Sequence, residues 1–448
     1  MKRMPLVKGN GVRLKRELGL LHATMMGIGG AVSAGVFVTL GYAASLAGVA
    51  LIVAMILCGV INLFTMMSYA ELGTALPVAG GEYSFVKFSF GGFLSFATGW
   101  FEWISNIFFA SFSAIGFGNL LSYAMPFVSP PLVAIMVISI FTIINIKGIK
   151  ETGKTQTILV LILLMILIFF IFSGLSSNQS TLIQASSSGS LLGVLRASAF
   201  IFVIYLGGEA IAAAQAEIKN PRKTIPRAII ISSLALIILY TFISYVIFKI
   251  VPPESLAGLA SPISFVAKQL MGNLGLAIIT IAGVIAALTS VNTSLLAQSR
   301  VAYAMARDGN FPKWCFSLHQ SFCTPHIALI FCGVIAAVMA ATGTINFLTY
   351  ATDFGFIIGF IFVNLSLMKL RRDKPNLKRP FKVPLYPATP ILGILTCLFL
   401  IVLLDHATLV MGAALFIVAV TLFKIKNRYR PIPKSSPNSR STPKPIGP

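Results

Sequence analysis

Residues 18–57 form one apolar stretch that contains no Asp, Glu, Lys or Arg. A helix that crosses a bilayer needs roughly 20 residues, so the stretch holds a first helix and part of a second. In lipid the backbone must satisfy its own hydrogen bonds, which leaves only helices or closed barrels. Barrel strands alternate apolar and polar residues, whereas this run and those after it are continuously apolar. Composition agrees: the 448 residues are 57% hydrophobic and 10% charged, against about 25% charged in a soluble domain. The chain reads as an all-α, multi-pass membrane protein.

Twelve transmembrane helices are predicted, at about 18–47, 49–72, 91–123, 131–148, 155–175, 193–214, 228–250, 275–304, 326–342, 345–369, 388–404 and 406–424. The 34 Lys and Arg give a formal net charge of +22, which in a soluble chain would suggest nucleic acid. Here they fall between apolar segments and on every second loop, the positive-inside pattern. Both termini are therefore expected in the cytoplasm of a protein of the cell membrane, and no nucleic-acid partner is expected. Residues 1–17 read as a basic tail and 425–448 as a disordered, Pro-, Ser- and Lys-rich tail. Asn178-Gln179-Ser180 is a glycosylation sequon on an outer loop, and residues 252–273 read as a short outer helix over a vestibule.

The five cysteines (Cys58, Cys315, Cys323, Cys332, Cys397) form no evident disulfide framework, and no disulfide-linked partner subunit is expected. Cys315, His319, Cys323 and His326 recur at a spacing that zinc could use. The loop has no CxxC pair, so no metal centre is assigned. No Walker loop or His–Glu metal motif is present, and neither an enzymatic activity nor a cofactor is expected.

The first span carries Gly27-Ile28-Gly29-Gly30-Ala31-Val32-Ser33-Ala34-Gly35-Val36-Phe37. Glycine costs about 1 kcal/mol relative to alanine inside a helix. Two readings compete: a small-residue face for close helix packing, or a break whose free N–H and C=O groups bind a carboxylate and a cation. Span 6 repeats the pattern, with Gly207-Gly208-Glu209 at mid-span. Paired Gly-interrupted spans in corresponding positions point to a transporter site at the midplane. Spans 1 and 6 correspond if residues 18–175 and 193–369 are two five-span copies, the second inserted upside down, with residues 388–424 adding two further spans.

Four stretches resemble those of the amino acid–polyamine–organocation superfamily, the amino acid permeases. They are Gly29 to Phe37; Tyr69-Ala70-Glu71-Leu72-Gly73 with Pro77 to Tyr83; Glu217 to Ala228; and Ala306 to Pro312 with Arg379-Pro380-Phe381-Lys382-Val383-Pro384. The ordered set is specific where each motif alone is weak. The resemblance implies a five-plus-five inverted-repeat fold with broken helices 1 and 6, two extra C-terminal helices, and alternating access.

It also implies roles. Amides around Gly29, Gly30, Ser33, Ala34 and Gly35 would hold a substrate carboxylate, with Ser33 adding a Cβ and a hydroxyl where backbone approach is tightest. Carbonyls of Phe202, Val203 and Leu206 would hold the ammonium, and Phe202 and Tyr205 would form a lid. Glu209 matches an acid used for proton sensing in some relatives. Glu102 in span 3 and Asp353 in span 10 either line a vestibule or tie helices together. Proton-coupled relatives often carry a lysine in span 5, about where Leu163 stands here. Gly29 and Val32 with Ala286, Thr289 and Ser290 fall at the spacing of a sodium site in the wider fold.

The expected function is secondary active transport of a small-molecule amino acid across the bilayer, by proton coupling or exchange. The alternatives are a sodium-coupled symporter, a polyamine or cationic amino acid exchanger, a channel, and an amino acid sensor that does not transport.

Overall fold

The structure, a computed structural model, describes residues 14–124, 127–178, 190–256, 259, 261–342, 345–404 and 406–428. Most of both tails and residues 179–189, including part of the sequon, lie outside the described residues.

Among the described residues the chain is all-helical, and its only β pairing is an isolated bridge. The first apolar stretch gives α1 (Leu20–Ala31) and α2 (Ala34–Ala47), separated at Val32 and Ser33. Then come α3 (Leu51–Ala75), the short α4 (Gly81–Ser89), α5 (Gly92–Ala124), α6 (Pro130–Ile146) and α7 (Ile149–Ser176). The sixth apolar segment is split into α8 (Leu191–Phe200), a 3-10 turn over Ile201–Tyr205, and α9 (Gly208–Ala213). The remainder is α10 (Pro221–Ile250), α11 (Pro262–Arg307), α12 (His326–Thr342), α13 (Ile345–Asp373), α14 (Ala388–Val402) and α15 (His406–Arg428). Proline opens α6, α10 and α11, where its missing N–H costs nothing. Within α11, Gly272 adopts φ +64° and bends the chain, so a short helix precedes the long apolar one.

Eight helical stretches are long and apolar enough to cross a membrane, and four shorter ones, α1, α6, α12 and α14, are apolar. The surface fits lipid: Met165, Phe169 and Phe172 of α7 and Val410 and Ile417 of α15 are exposed. The interior holds the charges, with Glu71, Glu82, Glu102, Glu209, Glu217, Arg300 and Asp353 all buried. All five cysteines are buried free thiols.

α1 packs against α7, α10 and α11, and α5 against α11 and α13. Two polar knots fix one end of this bundle. In the first, Leu18 pairs with Ile218 in a parallel bridge, with Leu18 N–H donating to the Glu217 carbonyl (3.1 Å) and Lys219 N–H to that of Leu18 (2.8 Å). The Glu217 carboxylate then accepts Arg300 Nε (3.0 Å) and Nη2 (3.1 Å), joining α11 to the chain leaving α9. In the second, Glu71 of α3 binds Arg371 of α13, Arg379 (3.3 Å) and the Val383 amide (2.7 Å). The Arg371 guanidinium also lies 3.9 Å from the centroid of the Tyr386 ring.

Candidate functional site

The glycine-rich stretch is a helix break as well as a packing face. α1 ends at Ala31, Val32 leaves the helical region, and Ser33 is extended. Ser33 is the N-cap of α2: its Oγ accepts from Gly35 N–H at 3.1 Å, and its carbonyl accepts from Val36 N–H at 3.3 Å. The serine at the expected carboxylate site therefore already serves two of the α2 amides. A carboxylate arriving at Ser33, Ala34 and Gly35 would take over the bond that the hydroxyl now makes.

The second break lies against the first. A Cβ built on Gly30 would be 3.1 Å from the Gly207 Cα, and one built on Gly207 would be 2.8 Å from the Ala31 nitrogen. Only glycine at position 207 allows this approach, and position 30 is tight for any larger residue. Between α8 and α9 the helix leaves its ladder at Leu206 and Gly207 and restarts at Gly208. Glu209, buried at the first turn of α9, accepts the Gly207 N–H at 2.8 Å through Oε2. It thus caps its own break from within.

The other predicted residues separate into those at the breaks and those elsewhere. Phe202 is buried, with its ring edge-on to Phe360 of α13 at 5.8 Å. Val203 uses its carbonyl on the Leu206 amide at 3.3 Å. Tyr205 is pinned away from α1: its hydroxyl donates to the Met55 carbonyl of α3 at 2.7 Å, and its ring meets Tyr240 of α10 edge-on at 5.1 Å. Glu102 accepts the amides of Tyr83 (2.9 Å) and Glu82 (3.3 Å), so it caps the start of α4. Asp353 is fully buried in α13, and neither of its oxygens has a hydrogen-bond partner among the described residues.

The proposed sodium ligands are partly gathered. Ser290 Oγ lies within hydrogen-bond distance of the carbonyls of Gly29 (3.3 Å), Gly30 (3.2 Å) and Ala286 (3.0 Å). Thr289 Oγ1 is turned back onto the Ala286 carbonyl at 2.9 Å, and Val32 is buried at the end of α1. Among the described residues no three His, Cys, Asp or Glu side chains gather where they could hold a metal.

Similarity to known proteins then decides the class. The family described as Amino acid permease matches residues 18–428. The chain belongs to that family. The branched-chain amino acid permease BcaP of Bacillus subtilis is 30% identical over 93% of this chain and 94% of its own length. The methylthioribose transporter of Bacillus subtilis is 29% identical (88% and 90%), as is the serine/threonine exchanger SteT of the same organism (87% and 91%).

Within the permease, the neighbours of Gly29 were not legible in the sequence. A Cβ on Gly29 would strike the Gln156 amide and Val160 of α7. Leu163 is a buried apolar residue further along the same helix. Gln156 ends a chain of buried amides: Asn145 Nδ2 donates to Asn292 Oδ1 (2.8 Å), and Asn292 Nδ2 to Gln156 Oε1 (2.8 Å). Gln156 Nε2 has no partner among the described residues. Three amides inside apolar helices were the available signal, but a search for charged residues passes over them.

Around the Pro77 to Tyr83 stretch, Tyr69 donates to Glu82, and Tyr83 donates to Asp308 at 2.9 Å. Lys87 holds the other oxygen of Asp308 at 2.6 Å. Burial first, and then the Asp308 carboxylate, push the Tyr83 phenol well above its ordinary value.

Proposed function

We propose that the permease is a secondary active transporter of amino acids in the cell membrane. Twelve spans, arranged as five-plus-five inverted repeats and two extra helices, would carry substrate by alternating access, with both termini in the cytoplasm. The observation that carries this reading is the contact between two interrupted helices, at Gly30 and Gly207. Helix ends that meet inside an apolar bundle supply unpaired amides for a carboxylate and carbonyls for an ammonium.

The substrate reading is a neutral amino acid. It is supported by relatives named for branched-chain amino acids and for serine and threonine. The apolar pair Phe202 and Phe360 beside the break supports it too. The carboxylate would sit at the start of α2, and the ammonium at the carbonyls of Phe202, Val203 and Leu206. Coupling is by protons through Glu209, which already touches the break, or the protein works as an exchanger.

A sodium-coupled mechanism is the second reading. Ser290 Oγ and the carbonyls of Gly29, Gly30 and Ala286 bring hard oxygens together where a small hard cation could bind.

The test is uptake of a radiolabelled amino acid panel into proteoliposomes, with proton and sodium gradients imposed separately. Saturable uptake driven by an inward proton gradient supports coupling through Glu209, and uptake on counter-substrate alone supports exchange. A requirement for sodium moves the coupling site to Ser290. Absence of uptake and exchange for every amino acid overturns the substrate reading.

A further inference from the structure

Arg16, ahead of α1, and Arg222 and Lys223, in the first turn of α10, line one cavity of about 560 Å³ with Pro77, Asn220 and Pro221. No acid lines it. Elsewhere at the same end some cations are engaged, Lys87 with Asp308 at 2.6 Å, Lys369 with Asp373 at 2.7 Å, and Arg371 and Arg379 with Glu71, while others such as Lys313, Lys378 and Lys382 stand exposed outside this cavity. The side chains of Arg16, Arg222 and Lys223 make no hydrogen bond or ion pair among the described residues. These three solvent-exposed like charges line one cavity with no counter-charge among the described residues, and an anion there would lower their mutual repulsion. The cavity also receives the N-terminus of α10, whose N-cap Asn220 makes no side-chain capping bond.

We propose that this cavity binds the phosphate of an anionic phospholipid headgroup. Helix length argues for a lipid over a free anion. α10 has 30 residues, which at 1.5 Å per residue is about 45 Å, against a hydrocarbon core of about 30 Å. Arg222, Lys223 and Arg227 all lie in its first two turns, so this is the end that overhangs the core and lies at headgroup depth. Further along the same two helices apolar side chains are exposed: Leu20 and Leu21 on α1, Ile231 and Leu234 on α10. Acyl chains can lie along these faces while the phosphate sits among the three cations. A lipid held there joins the starts of α1 and α10 to the loop after α3. Placing this face at the inner leaflet rests on the orientation proposed above; the binding does not.

The test uses the purified full-length chain in neutral detergent. Lipid adducts are counted by native mass spectrometry during titration with phosphatidylglycerol, with phosphatidylcholine in parallel and millimolar inorganic phosphate as competitor. Two variants accompany it: R16Q/R222Q/K223Q at the cavity, and K313Q/K378Q/K382Q, which removes three exposed cations elsewhere. The expected result is one saturable phosphatidylglycerol per chain, weakened at least tenfold in the first variant, unchanged in the second, and not displaced by phosphate. Equal weakening in both variants would show only a diffuse charge effect and overturn the site. Displacement by inorganic phosphate would overturn the lipid assignment in favour of a free anion. Should the triple variant misfold, R222Q and K223Q alone must each weaken binding. No step of the measurement needs transport, so a failed uptake assay and a failed lipid site are distinguishable.

Discussion

Gly30 of α1 and Gly207 of the sixth apolar segment touch through their backbones: a Cβ on Gly30 would reach within 3.1 Å of the Gly207 Cα. Two helices, each interrupted, are thereby held with their interruptions side by side. Gly207→Ala should be the more damaging change, because its Cβ would drive into the Gly27 carbonyl and the Ala31 nitrogen, both backbone. At least a tenfold loss of uptake is expected in proteoliposomes for Gly207→Ala, and a smaller loss for Gly30→Ala. Equal, wild-type rates in both would remove the contact from the mechanism.

Glu209 accepts the Gly207 amide, a task that a glutamine oxygen can also perform. Glu209→Gln should therefore keep the melting temperature, while Glu209→Ala loses a cap worth about 1 kcal/mol. Only the carboxyl can exchange a proton, so both variants should lose proton-driven uptake and keep counterflow exchange. Thermal melts and gradient-driven uptake, run side by side, separate the two roles. Proton-driven uptake that survives in Glu209→Gln places coupling elsewhere.

Asp353 has no hydrogen-bond partner for either oxygen among the described residues, although it is fully buried. A carboxyl so placed costs stability, which makes it a candidate for a role in transport. Asp353→Asn should leave the melting temperature equal or raised, and should lower uptake about tenfold. A lowered melting temperature with normal uptake would instead assign Asp353 to packing.

Arg300 and Glu217 are both buried and doubly bonded to each other, at 3.0 and 3.1 Å. Arg300→Ala strands a buried carboxylate and should cost about 3–5 kcal/mol. Arg300→Met combined with Glu217→Gln removes both charges and should recover much of that loss. Chemical denaturation of the wild type, Arg300→Met, Glu217→Gln and the double variant measures the coupling, and additive losses would show that the pair does not act as a unit.

Ser290→Ala removes a hydroxyl shared among three carbonyls. In a proton-coupled or exchanging protein it should change uptake by less than threefold at any sodium concentration. A sodium-dependent rate that collapses in this variant would establish the second reading.

Much of the architecture was written in the sequence. Apolar runs too long for one helix force helical segments, because lipid leaves the backbone no other partners. The glycine-rich stretch from Gly27 to Gly35, within which the break falls at Val32 and Ser33, and the pair Gly207-Gly208 marked both interruptions, since glycine is costly inside a helix unless a close approach needs it. The ordered motifs from Gly29 to Pro384 pointed to the family, and the match over residues 18–428 agrees.

What those residues touch was decided only by packing. Nothing local says that Ser33 caps α2, that Tyr205 turns to Met55 and Tyr240, or that Glu102 serves the amides of α4. Each is a polar group in an apolar segment, and sequence reports only that such a group must find a partner. The partner lies tens to hundreds of residues away for Glu102 and Tyr205, and as near as Gly35 for Ser33. Gln156 is the clearest case: the sequence left it one amide among many apolar neighbours, and the fold set it against Gly29 with a donor unpaired. Hydropathy and glycine cost act along the chain and can be read there. Burial of a polar atom gains its meaning from the groups that surround it in three dimensions.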